Sequence, residues 1–421
     1  MPKPASTGAF IGRIAAVLIV VALAVTPGRA AEPIRIGLSL ALTGALASGG
    51  KVMMIALKLW EDDVNARGGL LGRPVQLIYY DDQSNGSLVP GIYAKLLDVD
   101  KVDLVISSYG TNVAAPAMPI VMQKNKLFVS MFSLGLNTEF KYPRYFSMHP
   151  AGANPKLDYS EGFFRIVTQQ APQPRTLALL TAEGEATRLV TDGAYEHIRK
   201  AGLQIVYDRR YPLNTTDFSP IVRAAQAARP DVLFISSYPV DSVGVLRALN
   251  EVGFKPQIVG GILNGLPAPV LKAQLGPMLN GVINYEYWVP TPAMIGPGVM
   301  DLIKRYQERA RGEGVDPIGI YVPPWAYALA QILEQSIIAT GSIDDGKLAD
   351  YMHGATFRTM VGDVKFGPDG EWEKGRILMV QHHGIRNNDI MQFKDMSTIT
   401  VLDPLEYATG KAIYPYEDAR K

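Results

Sequence analysis

Twice along this chain, short runs of β-branched and aromatic residues alternate with helical patterns, and that rhythm admits few folds. The first series has strand candidates at residues 34–40, 75–80, 102–108 and 127–132. Between the first two, Val52, Ile55, Ala56, Leu59 and Val64 share one helical face over residues 50–66, and Gly68-Gly69 stop that helix. Strands alternating with helices at this spacing predict a parallel sheet with crossover helices. The rhythm pauses in a Pro- and Gly-rich loop, 142–155, then restarts with strands at 176–181, 204–207, 232–238 and 257–261. Helices are expected at 188–201, 219–228 and 241–252, with Asp241 as an N-cap and Pro220 in a first helical turn.

An internal echo joins the two series. Ser107-Ser108-Tyr109 closes the third strand, and Ser236-Ser237-Tyr238 closes a strand of the second series, each just before a helix. In open α/β sheets, ligands bind in the crevice beyond such strand ends. Two sheets facing one another would line a shared cleft with both, although short apolar strands also look alike by coincidence. From about residue 282 the pattern is less regular. A strand is expected at 282–288, helices at 299–310 and 324–339, and a hairpin region at 361–393 around Gly367-Pro-Asp-Gly370. The Tyr- and Pro-rich tail is expected to pack along the surface.

Residues 1–30 read as an address. Lys3 and Arg13 supply a positive n-region before an apolar stretch, 14–25, and Gly28 and Ala30 stand at the −3 and −1 positions of a cleavage site. This predicts a secretory signal peptide, too short in its apolar run for a membrane span. Export lowers the weight of kinase and dehydrogenase chemistry, since the periplasm lacks ATP and holds little free nicotinamide. The chain has no Cys, which excludes disulfides, thiolate catalysis, Cys-ligated zinc and a lipidated N-terminal Cys. Lys+Arg number 41 against Asp+Glu 40, so no basic face offers itself to nucleic acid.

Catalytic signatures are missing. There is no GxGxxG, no GxxxxGK[ST] and no GxSxG. His382-His383 is the only His pair, and it reads as part of a solvated turn rather than a metal site. Asp81-Asp82 either caps the following turn or serves acid/base chemistry; Glu183 and Glu185 either meet a ligand amine or face water. No cofactor, no metal and no enzymatic role are expected. A set of hydroxyls, amides and aromatics remains, suited to holding a small molecule without transforming it.

Several stretches carry a family likeness. They are Ile36-Gly-Leu-Ser-Leu-Ala-Leu-Thr-Gly44, Asn65-Ala-Arg-Gly-Gly-Leu-Leu-Gly72, Tyr79-Tyr-Asp-Asp82, Leu246-Arg-Ala-Leu-Asn-Glu-Val-Gly253, Trp325-Ala-Tyr-Ala328 and Phe366-Gly-Pro-Asp-Gly370. Across residues 33–395 the chain resembles the periplasmic solute-binding proteins of the branched-chain amino acid type, which feed ABC importers. The resemblance implies the type I periplasmic binding fold, an α/β fold of two Rossmann-like lobes with parallel sheets joined by a three-crossing hinge. The first lobe would take residues 32–153 and about 284–378, the second 154–283 and about 379–421. It implies a monomer that docks on a membrane permease with its ATPase subunits, with no nucleic acid partner. A periplasmic sensor shares this fold and is an alternative role; a hydrolase using Asp81 or Asp82 is another.

The family's ligand loops map onto Thr43, Ser108, Tyr109, Thr111, Phe132 and Ser133 in the first lobe. In the second they map onto Thr187, Arg188, Tyr238 and Asn264, with Glu286 or Glu183 as a source of negative charge. Arg188 is either a fork for a carboxylate or an ordinary surface residue. Two departures from the family pattern matter. Gly260-Gly-Ile-Leu-Asn-Gly-Leu266 has no acid to pair with a ligand ammonium, and Ala186-Thr187 stands where a Tyr is common. Phe132 and Leu134 add apolar bulk. A buried ammonium without a counter-charge costs several kcal/mol. The expected ligand is therefore a small carboxylate without an amine, aromatic or aliphatic, with a branched-chain amino acid as the alternative.

Overall fold

The computed structural model describes residues 1–4 and 31–421; residues 5–30, most of the expected leader, lie outside the described residues. Five parallel strands form the first sheet: β1 (Ile34–Leu40), β2 (Val75–Asp81), β3 (Leu104–Tyr109), β4 (Phe128–Met131) and β5 (Tyr145–Ser147), in the order β2-β1-β3-β4-β5. The second series supplies β6 (Thr176–Ala182), β7 (Gln204–Tyr211), β8 (Val232–Ser237), β9 (Ile258–Leu263) and β10 (Ile283–Glu286). A small hairpin follows, β11 (Thr356–Thr359) with β12 (Gly362–Lys365), and then β13 (Leu378–His382) and β14 (Ile399–Asp403). The second sheet runs β14-β13-β10-β9-β8-β6-β7, with β13 and β14 antiparallel to their neighbours.

Burial explains why the strands were readable. β3, β8 and β9 are buried at every position, because crossover helices cover both faces of a parallel sheet and make each strand a continuous apolar run. β7 lies at an edge, and its Asp208-Arg-Arg210 is exposed, which discourages pairing with a further strand.

Three passages link the sheets. After β5 the chain enters the helix Pro155–Thr168, which packs on the second sheet. After β10 it returns to the first: the helices Val299–Ala310 and Val322–Thr340 pack on the helix Ala47–Ala66, tied by Arg305 to Asp63 at 2.6 Å and Trp60 Nε1 to Glu334 at 2.8 Å. It passes to the second sheet again before β13. The first and third passages run side by side, with Arg376 N donating to Pro150 O at 2.8 Å. Gly152, at φ +98°, makes this possible, since a Cβ there would lie 2.9 Å from the Gly375 nitrogen.

The structure differs from expectation at several points. Residues 284–286, expected in the first lobe, belong to the second sheet, because β10 pairs with β9 and β13. β5 lies inside the stretch expected to be a loop. Asp241 is not the N-cap: the helix Pro239–Val252 starts earlier, and Asp241 accepts from the Tyr238 backbone N–H at 3.4 Å as the third residue of a capping box. The hairpin turns at Met360-Val361, while Gly367–Gly370 is a separate tight turn closed at 3.0 Å. His382 is fully buried in β13 rather than solvated, with neither ring nitrogen hydrogen-bonded. Tyr416 of the tail is buried too, and its backbone N–H donates to Gln257 O at 2.8 Å.

Candidate ligand-binding cleft

The C-terminal ends of strands in both sheets open onto one cleft. The first sheet contributes Tyr109 at the end of β3, Gly110, Thr111 and Asn112 just beyond it, and Phe132 and Leu134 after β4. The second contributes Tyr238 after β8, Asn264 after β9 and Tyr285 on β10, and the helix Pro155–Thr168 adds Tyr159. His149, Tyr287 and Tyr321 complete the wall from the linking passages and the return segment. The two Ser-Ser-Tyr ends thus each deliver their tyrosine, while their serines stay within their own lobes. Ala41 N donates to Ser108 Oγ at 3.2 Å, and Ser237 Oγ lies 2.8 Å from Ser242 Oγ.

Aromatic packing shapes the wall. The Phe132 ring lies 4.5 Å from Tyr287 and 5.6 Å, stacked, from Tyr321, centroid to centroid. These contacts hold Phe132 at φ +52°, a left-handed backbone that a bulky residue rarely adopts. The hydroxyls find one another: Tyr109 to Tyr321 at 3.1 Å, Tyr159 to Tyr287 at 2.7 Å, and Tyr287 to His149 Nε2 at 2.8 Å. Tyr238 donates across the cleft to Asn112 Oδ1 at 3.0 Å, joining the lobes.

Five of the sequence-predicted residues, Tyr109, Thr111, Phe132, Tyr238 and Asn264, line the cleft. The other six do not. Thr43 locks a loop by donating to Asp81 Oδ2 at 2.7 Å, and Asp81 also accepts from the backbone of Leu42 and Gln83, so the acidic pair ties the loop together. Ser108 and Ser133 are buried beneath the wall. Thr187 donates to Ala182 O at 2.6 Å inside the first turn of its helix. Arg188 is exposed and lines a neighbouring hollow with Glu139, Glu185 and Asp192. Glu286 points away from the cleft and pairs with Lys272 at 2.5 Å; Glu183 is exposed.

The sequence reading missed His149, Tyr159, Tyr285, Tyr287 and Tyr321. One signal was available: in Tyr285-Glu286-Tyr287 the alternation of a strand puts both tyrosines on one face and the acid on the other.

No Asp, Glu, Lys or Arg stands among the residues lining the cleft. Burial raises the tyrosine hydroxyls above their ordinary range and holds His149 down to about 3, so the wall is uncharged at neutral pH. Its polarity lies in particular donors. Thr111 Oγ1 accepts from Leu134 N at 3.0 Å, which leaves its own proton free, and Asn112, whose oxygen is taken by Tyr238, keeps its amide N–H groups free. Among the described residues no cluster of His, Asp and Glu could hold a metal ion.

Known proteins share this architecture. A Leu/Ile/Val-binding protein homologue from Brucella abortus is 23% identical over 374 residues, covering 84% of this chain and 94% of the relative. The branched-chain amino acid transporter substrate binding protein LivJ from Streptococcus pneumoniae, in complex with isoleucine, superposes with a TM-score of 0.73 at 16% identity, over 89% of this chain and 100% of that one. A solute-binding protein of an ABC transporter from R. palustris, in complex with benzoate, gives 0.72 at 15% identity, over 90% and 97%. The sequence profile of the periplasmic binding proteins matches residues 33–384. Two strand-end fans facing one cleft, carried by a chain that fits this profile over most of its length, make the protein a member of the periplasmic binding protein family.

Proposed function

We propose that this protein is the solute-binding subunit of an ABC importer. It grips a small, largely apolar carboxylate, an aromatic acid foremost, between its lobes in the periplasm and delivers it to the permease and its ATPase subunits. The observation that carries this reading is the cleft wall, which is rich in Phe and Tyr and has no acidic side chain to neutralise an ammonium. Relatives with this fold hold isoleucine in one case and benzoate in another, so the lining must discriminate between them. The free Thr111 hydroxyl and the Asn112 amide offer donors to a carboxylate, and the aromatic rings cover an apolar body. Residues of both lobes meet the ligand, which is what closure requires: only a ligand that binds the closed form better can shift the equilibrium toward it.

Calorimetry with benzoate and leucine tests the reading. Benzoate is expected to bind, with leucine weaker by tenfold or more; tight leucine binding with no response to benzoate would reverse it. A second expectation concerns Thr111. Thr111→Val removes the hydroxyl at nearly constant volume and should weaken a carboxylate ligand by about 1.5–3 kcal/mol, the range for hydrogen bonds to charged groups. Equal affinity in the variant removes Thr111 from the site.

A further inference from the structure

Four polar side chains, separate from the Thr111–Asn112 donors, run as one relay along the cleft. Tyr159 hydroxyl lies 3.4 Å from Asn264 Oδ1 and 2.7 Å from Tyr287 hydroxyl, which is 2.8 Å from His149 Nε2. The direction of the relay is set at its end, because an amide oxygen only accepts. Tyr159 therefore donates to Asn264, its oxygen accepts from Tyr287, and Tyr287 accepts from His149. That ordering places the histidine proton on Nε2 and leaves Nδ1 a bare acceptor. His149 Nδ1 and Asn264 Nδ2 are both buried and both without a partner.

Turning the Asn264 amide over reverses every link. Nδ2 then donates to Tyr159, and His149 carries its proton on Nδ1. In either sense the relay ends in one free donor and one free acceptor, and both residues line the cleft. A group that only donates or only accepts suits each end in one sense alone. A hydroxyl, which does both, is satisfied in either.

We propose that His149 and Asn264 are the ends of a hydroxyl-reading subsite, and that the ligand is an aromatic acid bearing a ring hydroxyl. This rests on the carboxylate reading above: the acid group takes the Thr111–Asn112 donors and the hydroxyl meets the relay. Plain benzoate leaves the ends unpaired, and a site built to hydrogen-bond a hydroxyl discriminates against the ligand that lacks it.

The test is calorimetry on the full protein with benzoate, 3-hydroxybenzoate and 4-hydroxybenzoate. At least one hydroxybenzoate is expected to bind about tenfold or more tightly than benzoate. In the double variant His149→Phe/Asn264→Leu that advantage should shrink to about threefold or less; an advantage that persists undiminished in the folded variant overturns the subsite. The wild-type comparison needs no variant to fold. Benzoate binding as tightly as both hydroxy acids overturns the subsite and leaves the carboxylate reading standing. Failure of all three acids to bind overturns the carboxylate reading and the subsite with it.

Discussion

Glu371→Gln is expected to abolish a loss of stability that the wild-type protein suffers as the pH rises from about 4.5 to about 8. The turn carrying Glu371 is fastened through its backbone: Gly367 N donates to Glu371 O at 2.7 Å, Ser147 N to Gly370 O at 2.9 Å, and Asn137 Nδ2 to Asp369 O at 2.6 Å. The side chain is thereby committed to the interior, where it is fully buried and neither carboxyl oxygen has a hydrogen-bond partner. Burial, with the Asp369 carboxylate adding repulsion, pushes its pKa up to about 8 from an ordinary 4.5. The folded protein therefore keeps a proton that the unfolded chain releases. Stability is fully present below pH 4.5 and drains away as the pH climbs to about 8, by about 1.4 kcal/mol per unit and on the order of 4–5 kcal/mol in all. Glutamine cannot ionise. Urea unfolding of both proteins at pH 5 and pH 8.5 measures the effect as a difference, in which other titrating groups cancel. Parallel curves for the two proteins would show that Glu371 ionises as freely in the fold as outside it.

The lobes were legible because their strands are buried on both faces. β1 and the helix Val299–Ala310 coincide with their expected bounds, and β2, β6 and β8 differ by a single residue. β5 was hidden because three residues, Tyr145–Ser147, carry too little periodicity to stand out from a Pro-rich stretch. Asp241 misled because it is a good capping residue in its own right. Pro239 starts the helix two residues earlier, with φ already set for a first turn, and the acid bonds back from within.

The site was legible only where ligand loops follow strands of known order. Thr111, Phe132, Tyr238 and Asn264 all sit just past a strand end. Tyr159 and Tyr321 come instead from a helix and the returning segment, where a tyrosine reads as ordinary core until the chain's path is known. Tyr287, just past the end of β10, was hidden because that strand was expected to run on to residue 288. Thr43 and Arg188 failed for a different reason. Both are polar residues near strand ends, but Asp81 takes the hydroxyl of one and the acidic hollow beside the cleft surrounds the other. Proximity along the chain fixed neither the direction of a side chain nor its partner.

Glu286 shows what that direction costs energetically. Facing away from the cleft, it meets Lys272 at 2.5 Å, with side-chain exposures of 5% and 3%. Burial outweighs the lysine's attraction and raises the Glu286 pKa. Glu286→Leu leaves an ammonium in the interior. An ammonium left buried without its partner is strongly destabilising, by roughly 3–5 kcal/mol. Lys272→Met leaves a carboxylate that can take up a proton, and at about 1.4 kcal/mol per pH unit above an ordinary 4.5 its loss at pH 7 is capped at about 3–4 kcal/mol. The two variants should separate further in acid: at pH 5 Lys272→Met costs about 1 kcal/mol or less from this source, whereas acid offers a buried ammonium no such relief. The double variant restores an apolar match and should come close to wild-type stability, since a buried pair seldom outperforms well-packed hydrophobic residues. Urea unfolding of the three variants at pH 5 and pH 7 reads all of this. Equal losses in the two single variants at both pH values would mean that neither side chain carries charge in the fold.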